Sequence, residues 1–393
     1  GPYLNFKIKQ SIILTNIFEL QEDYGRIYEI GDKGKFKSLK IVIEYPAPNT
    51  NKPLHLGHVR NMFLGNSLAN ILRYIGHEVF EVNLNNDRGI HISKSMLGYK
   101  MRGINHLPEG VKPDHFVGLS YVKYNLELQK NEELNEEATN LLKLWEAEDP
   151  ETRELWKKMN NWALAGFKET YKNFGISFDK EYFESNLYKK GKEIILDNVK
   201  KGVFNKTEDG AVIAHLKDKF KVPDKILLRS DGTSVYITQD VYLSFIKKED
   251  FDYDRSIYVV GNEQDLYFKQ LFAVLDMIGF KEDKYHLSYG MISLPEGKMK
   301  SREGTVVDAD DIYEDIQNLA YKEVDTRYPE ITKKEKQFRA NIIGMSALKF
   351  FILKFNPKSD FVFNPKESIS FEGETGPYVL YCFSRIESII LKS

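Results

Sequence analysis

The sequence predicts an α/β fold, a parallel sheet interrupted by a helical insertion and followed by a helical stem region. Three observations predict it. A β-branched, apolar run at 39–45, an amphipathic helical pattern at 57–75 and a second strand-like run at 78–84 give the strand–helix–strand order of a parallel unit. The acidic stretch at 120–174 places its apolar residues at helical spacing. Beyond Asp308 the chain is again mostly helical in pattern.

Each element has a local reason. The first run is stopped by Pro46-Ala47-Pro48-Asn49, as expected where a buried strand gives way to a loop. In the next, Val59, Met62, Phe63, Leu68, Ile71, Leu72 and Ile75 repeat at helical spacing, and Gly76 ends the helix. Leu141, Leu142, Leu144, Trp145, Leu155, Trp156 and Trp162 supply the apolar faces of the insertion. Strand character resumes at 210–216. A hairpin over 226–238 is centred on Ser230-Asp231-Gly232-Thr233, and a helix is expected from Asp240. A strand at 257–260, a helix at about 264–278 and a strand at 286–292 complete the second half of the sheet. The interval 373–393 reads as a turn and a helix. Ligands of such sheets bind at the carboxyl ends of the strands.

Composition bounds the function. Of 393 residues 42% are hydrophobic, enough for a large core, and 56 basic against 58 acidic side chains leave a net charge of −2. No overall basic field attracts nucleic acid, so RNA contacts must come from local patches. The single cysteine, Cys382, excludes a disulfide framework and a cysteine-based zinc site within one chain, which fits a cytoplasmic setting. No apolar run approaches the roughly 20 residues of a membrane-spanning helix, so no membrane partner is expected. The opening Gly1-Pro2-Tyr3-Leu4 reads like the middle of a longer protein.

Two constellations could carry chemistry. Pro53-Leu54-His55-Leu56-Gly57-His58 lies between the strand-ending loop and the first helix. A helix N-terminus presents free N–H groups to phosphate, a glycine admits close approach, and imidazoles add donors. Metal binding is the rival reading, but no Asp or Glu within the motif completes a ligand set. The second is Gly297-Lys298-Met299-Lys300-Ser301-Arg302-Glu303-Gly304-Thr305, after the last strand-like run. Its glycines are hinge-like and its three cations could neutralise a polyphosphate, although such a basic cluster in isolation is more often a solvated turn.

Residues 48–61, Pro-Asn-Thr-Asn-Lys-Pro-Leu-His-Leu-Gly-His-Val-Arg-Asn, resemble the HIGH signature region of class I aminoacyl-tRNA synthetases, above all the arginine branch. Residues 298–304 resemble the second signature, KMSKS, in a degenerate form. Tyr236-Ile237-Thr238-Gln239-Asp240, Val259-Val260-Gly261-Asn262-Glu263-Gln264-Asp265 and Gly373-Glu374-Thr375-Gly376-Pro377-Tyr378 resemble further segments of that branch. The resemblance extends over nearly the whole chain. It implies a class I Rossmann-type parallel sheet at 39–292 with a helical insertion at about 100–205. Before it, 1–38 would be a linker or a remnant of an N-terminal domain. The signature loop and helical stem would occupy 293–365, and a truncated helical anticodon-binding domain would begin at 366–393.

The implied activity joins L-arginine to tRNA(Arg) through arginyl-adenylate, with ATP as the energy source, magnesium on the leaving pyrophosphate, and a monomer as the working unit. His55, Gly57 and His58 would meet the ATP phosphates, with Met299, Lys300 and Ser301 contributing to the same site and Lys298 among the catalytic residues. Aligned with KMSKS, Ser301 falls where the second signature lysine is expected. Lys300, Arg302 or Lys52, just ahead of His55, would then supply that charge. A guanidinium calls for planar carboxylate acceptors. On the resemblance, Tyr236 and Asp240 hold it with help from Glu44, while Asn49 and Gln264 position the amino acid's backbone end. Two other readings are an H-x-G-H nucleotidyltransferase of another class and a non-catalytic RNA-binding relative. The former is usually much shorter than this chain, and the latter has no need to keep His55, Gly57, His58, Asp240 and Gln264 together.

Overall fold

The computed structural model describes residues 7–21, 24, 37–104, 106–293, 307–364 and 373–392. A first helix, α1 (Gln10–Leu20), buries none of its side chains. The chain then forms β1 (Lys40–Glu44), α2 (Leu56–Tyr74) and β2 (Glu78–Asn85), each within a residue or two of the interval expected for it. Successive residues of β1 point to opposite faces, so Ile41 and Ile43 enter one core and Val42 the other. A strand covered on both sides needs apolar residues throughout, which explains its unbroken run.

Four helices form the insertion: α3 (Ile90–Arg102), α4 (Pro113–Leu128), α5 (Leu134–Glu146) and α6 (Pro150–Phe174). Prolines open α4 and α6, Asp149 caps α6 by accepting from Thr152 N at 2.9 Å, and left-handed Gly103 and Gly175 end α3 and α6. Helices α3 and α4 cross closely at Gly98, where a Cβ would lie 1.9 Å from the Ser120 carbonyl oxygen.

The chain next returns to the sheet through β3 (Lys180–Phe183) and leaves it along α7 (Glu184–Lys200). The interval 100–205, expected to be insertion throughout, therefore contains a sheet strand, and the helical insertion proper lies between β2 and β3. Next come β4 (Asn205–Lys206), β5 (Val212–Ala214), the short α8 (Lys217–Phe220) and β6 (Lys225–Leu228). These three strands form a separate antiparallel sheet, so the run at 210–216 is no part of the parallel one. The expected hairpin over 226–238 is reduced to a Leu228–Ser234 bridge, closed by Arg229 N on Thr233 O at 3.0 Å.

Helix α9 (Tyr236–Phe251) begins a turn earlier than expected, so Asp240 stands inside it rather than at its start. The start is fixed by Thr238, whose hydroxyl accepts from Val235 N at 3.1 Å. Strand β7 (Arg255–Gly261), α10 (Asp265–Met277), β8 (Asp283–Tyr289) and β9 (Ile292–Ser293) follow, then α11 (Ala309–Arg327), α12 (Lys333–Leu353), β10 (Phe361–Val362) and α13 (Gly376–Ile390).

The central sheet has the order β3-β2-β1-β7-β8, with every pairing parallel. One core lies between one face and α2, α4, α6, α11 and α12; the other packs α7, α9 and α10 on the opposite face. None of the described helices is long and apolar enough to cross a membrane.

Candidate active site

The site is built at the carboxyl edge of this sheet. His55 is the N-cap of α2, and its ring folds back so that Nδ1 accepts from Gly57 N at 3.1 Å. His58, one turn on, accepts from His55 N at its own Nδ1, also at 3.1 Å. The rings lie 4.0 Å apart between centroids. An Nδ1 that accepts carries no proton, so each neutral imidazole has its proton on Nε2 and can donate from there. Burial and the nearby charge of Lys52 push His55 down to about 3, and burial, His55 and Lys52 hold His58 well below 6.5. Both are neutral donors at pH 7. A Cβ on Gly57 would stand 3.0 Å from His55 Cε1 and 3.1 Å from Nδ1, so glycine is what leaves the ring its place.

Two sets of contacts hold this helix start. The backbone of Leu54 and Leu56 pairs with Ala309 N and Val307 O, each at 3.0 Å, so the chain after the second signature returns beside the first. Arg60, fully buried, donates to the carbonyls of Met291, Pro357 and Ser359 at 3.2, 3.0 and 2.9 Å. Asn61 donates to Val259 O at 2.7 Å and lies 3.0 Å from the Tyr289 hydroxyl. Thus α2 is tied both to β7 and to the segment leading into the second signature. Lys298, Met299, Lys300 and Ser301 themselves lie outside the described residues.

A cavity of about 650 Å³ opens beside Lys52 and His55, walled by α4, α6 and α11. In its wall Lys112 Nζ meets Asp310 Oδ2 at 2.5 Å and Asp114 Oδ2 at 3.4 Å, while His115 Nε2 lies 3.0 Å from Asp310 and 3.3 Å from Asp308. Asp114, His115 and Asp310 are close enough to one another to share a cation, but the Lys112 ammonium already supplies that charge. Bonds to the two aspartates raise His115 to about 10, so it is a second cation there.

The acids lie on the other side of β1. Glu44 ends that strand and Asp240 lies on α9. They are close enough for the charge on Glu44 to raise the pKa of Asp240, so the structure brings these two expected residues together. The Tyr267 hydroxyl, from α10, donates to Asp240 Oδ2. Burial is the main cause that pushes Asp240 up to about 7, with the Tyr267 bond and Lys247 opposing and Glu44 adding. Lys247, fully buried on α9, contacts Glu44 Oε2 at 2.6 Å. Tyr236, the first residue of α9, is 65% exposed and within electrostatic reach of Glu184 and Arg88. Asn49 stands exposed beside Asn86, and Gln264 is exposed in the turn after β7. Among the described residues no hydrogen bond joins either of them to the acids.

Sequence reasoning missed a third carboxyl, Glu184. It follows β3 directly, is only 4% exposed, and accepts from Gln239 Nε2 on α9. Its Oε2 is buried with no hydrogen-bond partner. Burial raises it to about 8, Arg88 opposing and the charges of Asp87 and Asp240 adding. Arg88 is held by Glu146 at 2.5 Å and by the Tyr188 ring at 4.2 Å. An unpaired buried carboxylate oxygen near a second raised carboxyl is the arrangement a planar cation would complete. Its sequence signal was its place at the carboxyl end of a strand, and that strand had not been recognised.

Known proteins resemble this chain throughout. Residues 29–365 match the family described as tRNA synthetases class I (R), catalytic domain. Arginine–tRNA ligase of Treponema denticola is 49% identical over 403 residues, covering 100% of this chain and 67% of the relative. That of Bacteroides thetaiotaomicron is 47% identical over 417 residues, covering 100% and 69%. The chain thus spans about two thirds of the length of these relatives. In fold it is similar to Thermus thermophilus arginyl-tRNA synthetase, with a TM-score of 0.77 at 23% identity over 99% of this chain and 69% of that one. Arginyl-tRNA synthetase from Plasmodium falciparum gives 0.72 at 21% identity over 91% and 60%. With a family match over most of its length and relatives of this identity, the chain belongs to the class I arginyl-tRNA synthetase family.

Proposed function

We infer that this chain activates L-arginine with ATP and passes it to tRNA(Arg), and that Asp240 and Glu184 receive the guanidinium with Tyr236 and Glu44 beside them. The observation that carries this reading is the cluster of three carboxyls around α9 and the carboxyl ends of β1 and β3, one with an unpaired buried oxygen. Lysine would offer one point charge where planar, paired acceptors stand ready, and the unused acceptors would remain buried. Asn49 and Gln264, exposed on the same sheet edge, would meet the ammonium and carboxylate end.

The arginine carboxylate attacks the α-phosphorus of ATP, the bond to the leaving pyrophosphate breaks, and arginyl-adenylate forms. A ribose hydroxyl of the terminal tRNA adenosine then attacks the adenylate carbonyl and releases AMP. No protein nucleophile is required, so the chain's residues orient and stabilise charge. His55 and His58 donate from Nε2 to the phosphates, which are best served as charge moves onto the leaving group. Lys52 adds the cation that Ser301 does not, together with Lys298 and Lys300 of the second signature, and Met299 between them lines the same ATP site. Magnesium, entering with the nucleotide, would neutralise the pyrophosphate; the donors around His55 suit phosphate oxygens, and a metal there needs no protein ligand. The sole cysteine fits a reducing, cytoplasmic setting for this activity, and the monomer would be the working unit.

The test is ATP–pyrophosphate exchange against each amino acid with tRNA present, and then Asp240→Asn. Arginine alone should support exchange, and the substitution should raise the arginine requirement far more than the ATP requirement, because charge-assisted bonds are worth about 1.5–3 kcal/mol. An unchanged arginine KM in that variant would remove Asp240 from the pocket.

A further inference from the structure

Lys247 lies on α9 seven residues after Asp240 and three after Ser244, so the three share one face of the helix. That face is turned toward the sheet. Ser244 Oγ lies 3.2 Å from the Tyr258 hydroxyl on β7, and Lys247 Nζ lies 2.6 Å from Glu44 Oε2, 3.2 Å from Ser256 Oγ and 4.0 Å from the centre of the Tyr258 ring. The lysine side chain is 0% exposed. A polar seam thus runs through an otherwise apolar interface, from the Asp240 carboxyl to the middle of β7.

Burying an ion pair there is a poor route to stability, since well-packed apolar side chains of similar size commonly do as well or better. Its chemical consequence is local. Burial opposes the charge on Lys247, and Glu44 more than restores it, holding the ammonium above the usual lysine range. The pair in turn fixes one oxygen of Glu44. No described residue donates to the other oxygen, Oε1. Glu44 is close enough to Asp240 for its charge to raise that carboxyl, so a fixed Glu44 offers a placed acceptor beside it.

We propose that Lys247 is a positioning residue of the arginine pocket: its ammonium, in the buried seam between α9 and the sheet, fixes the Glu44 carboxylate as an acceptor beside Asp240 for the substrate guanidinium. This rests on the reading of the pocket given above. Lys247 acts mainly through Glu44, its ion-pair partner at 2.6 Å, so removing the two groups separately or together should affect arginine alike.

The experiment is a double-mutant cycle of Lys247→Met, Glu44→Gln and both together, read by arginine Kd from calorimetry, by arginine and ATP KM from exchange, and by thermal midpoint. The double variant replaces the pair with uncharged groups of similar size and should keep the fold even where Lys247→Met alone does not. The expected result is a roughly tenfold or greater loss of arginine affinity in every variant that folds. The ATP KM should stay within about twofold, and the double variant should be no worse for arginine than either single one while its thermal midpoint recovers. A double variant that regains both stability and wild-type arginine affinity would make the pair purely structural and overturn the proposal. So would losses that add independently, or a folded Lys247→Met with unchanged Kd. If Asp240→Asn also leaves arginine affinity unchanged, the pocket assignment itself is at fault; if Asp240→Asn weakens arginine and the Lys247 variants do not, only the role of Lys247 falls.

Discussion

If Asp240 and Glu184 receive the guanidinium, arginine must bind with release of a proton. Burial holds Asp240 at about 7 and Glu184 at about 8, so the empty pocket retains about 1.4 protons between them at pH 7 and nearly two at pH 6. One guanidinium compensates one carboxylate, so the bound pair keeps one proton and the excess must leave as the ligand enters. Below about pH 7 arginine affinity should then fall by as much as tenfold per pH unit, about 1.4 kcal/mol each, and flatten as the pH rises past about 7.5. For stability the sign is the reverse. Carboxyls whose folded values lie above 3.8 and 4.5 favour the folded chain while protonated, so this pair's contribution declines as the pH rises from about 4 and is fully lost once it has passed through 7 to 8, and bound arginine offsets the decline. Titration calorimetry between pH 6.0 and 7.5, in two buffers of different ionisation enthalpy, counts the protons directly. Close to one should be released per arginine at pH 6.0 and almost none at pH 7.5. A heat of binding independent of buffer throughout that range, with a flat Kd, would mean that neither acid meets the ligand's charge.

Gly57→Ala should slow adenylate formation roughly tenfold or more while leaving arginine Kd and thermal midpoint nearly unchanged, because the new methyl displaces the His55 ring by a few tenths of an ångström without touching the core. Stopped-flow activation rates decide it, and an unaltered rate would show that the ring's place is not critical. Lys52→Ala should likewise slow single-turnover activation with arginine binding intact, since its contact strengthens as charge develops on the pyrophosphate; a wild-type rate would leave Lys52 a structural residue.

The parts of the fold legible in the sequence are those whose signal is local. A β-branched run stopped by prolines, then a helix with a regular apolar stripe, set β1 and α2 to within two residues. β3 was not legible because it is an edge strand of four residues, two of them charged, of which only Tyr182 is buried. Nothing in Lys180-Glu181-Tyr182-Phe183 distinguishes it from a helix in an acidic region. The antiparallel sheet β4–β6 was misplaced for a related reason: Val212-Ile213-Ala214 carries a strand's preference but says nothing about which sheet receives it. The hairpin expected to run to residue 238 put the start of α9 four residues late, whereas the helix begins at Tyr236 with Thr238 bonding Val235 N.

The site divides along the same line. The His55–His58 pair was readable because a glycine, two imidazoles and a helix start are adjacent in sequence, and their tautomers follow from backbone contacts within four residues. The charges around the amino acid come from scattered positions. Lys247 next to Lys248 looks like a solvated basic pair, and only the docking of α9 on β1 brings it to Glu44, 203 residues away. Glu184 is one acid among many until β3 places it near Asp240. A consequence follows for how the two halves of the reaction are separated. On the phosphate side the donors nearest the sheet are neutral imidazoles, so they can bond the nucleotide without competing electrostatically for the carboxylate of arginine. On the amino-acid side a buried lysine matches one of three acids, leaving a charge that suits one guanidinium. If both assignments hold, raising the charge on the phosphate side and lowering it on the amino-acid side should have separable effects, the first on the rate of activation and the second on arginine affinity.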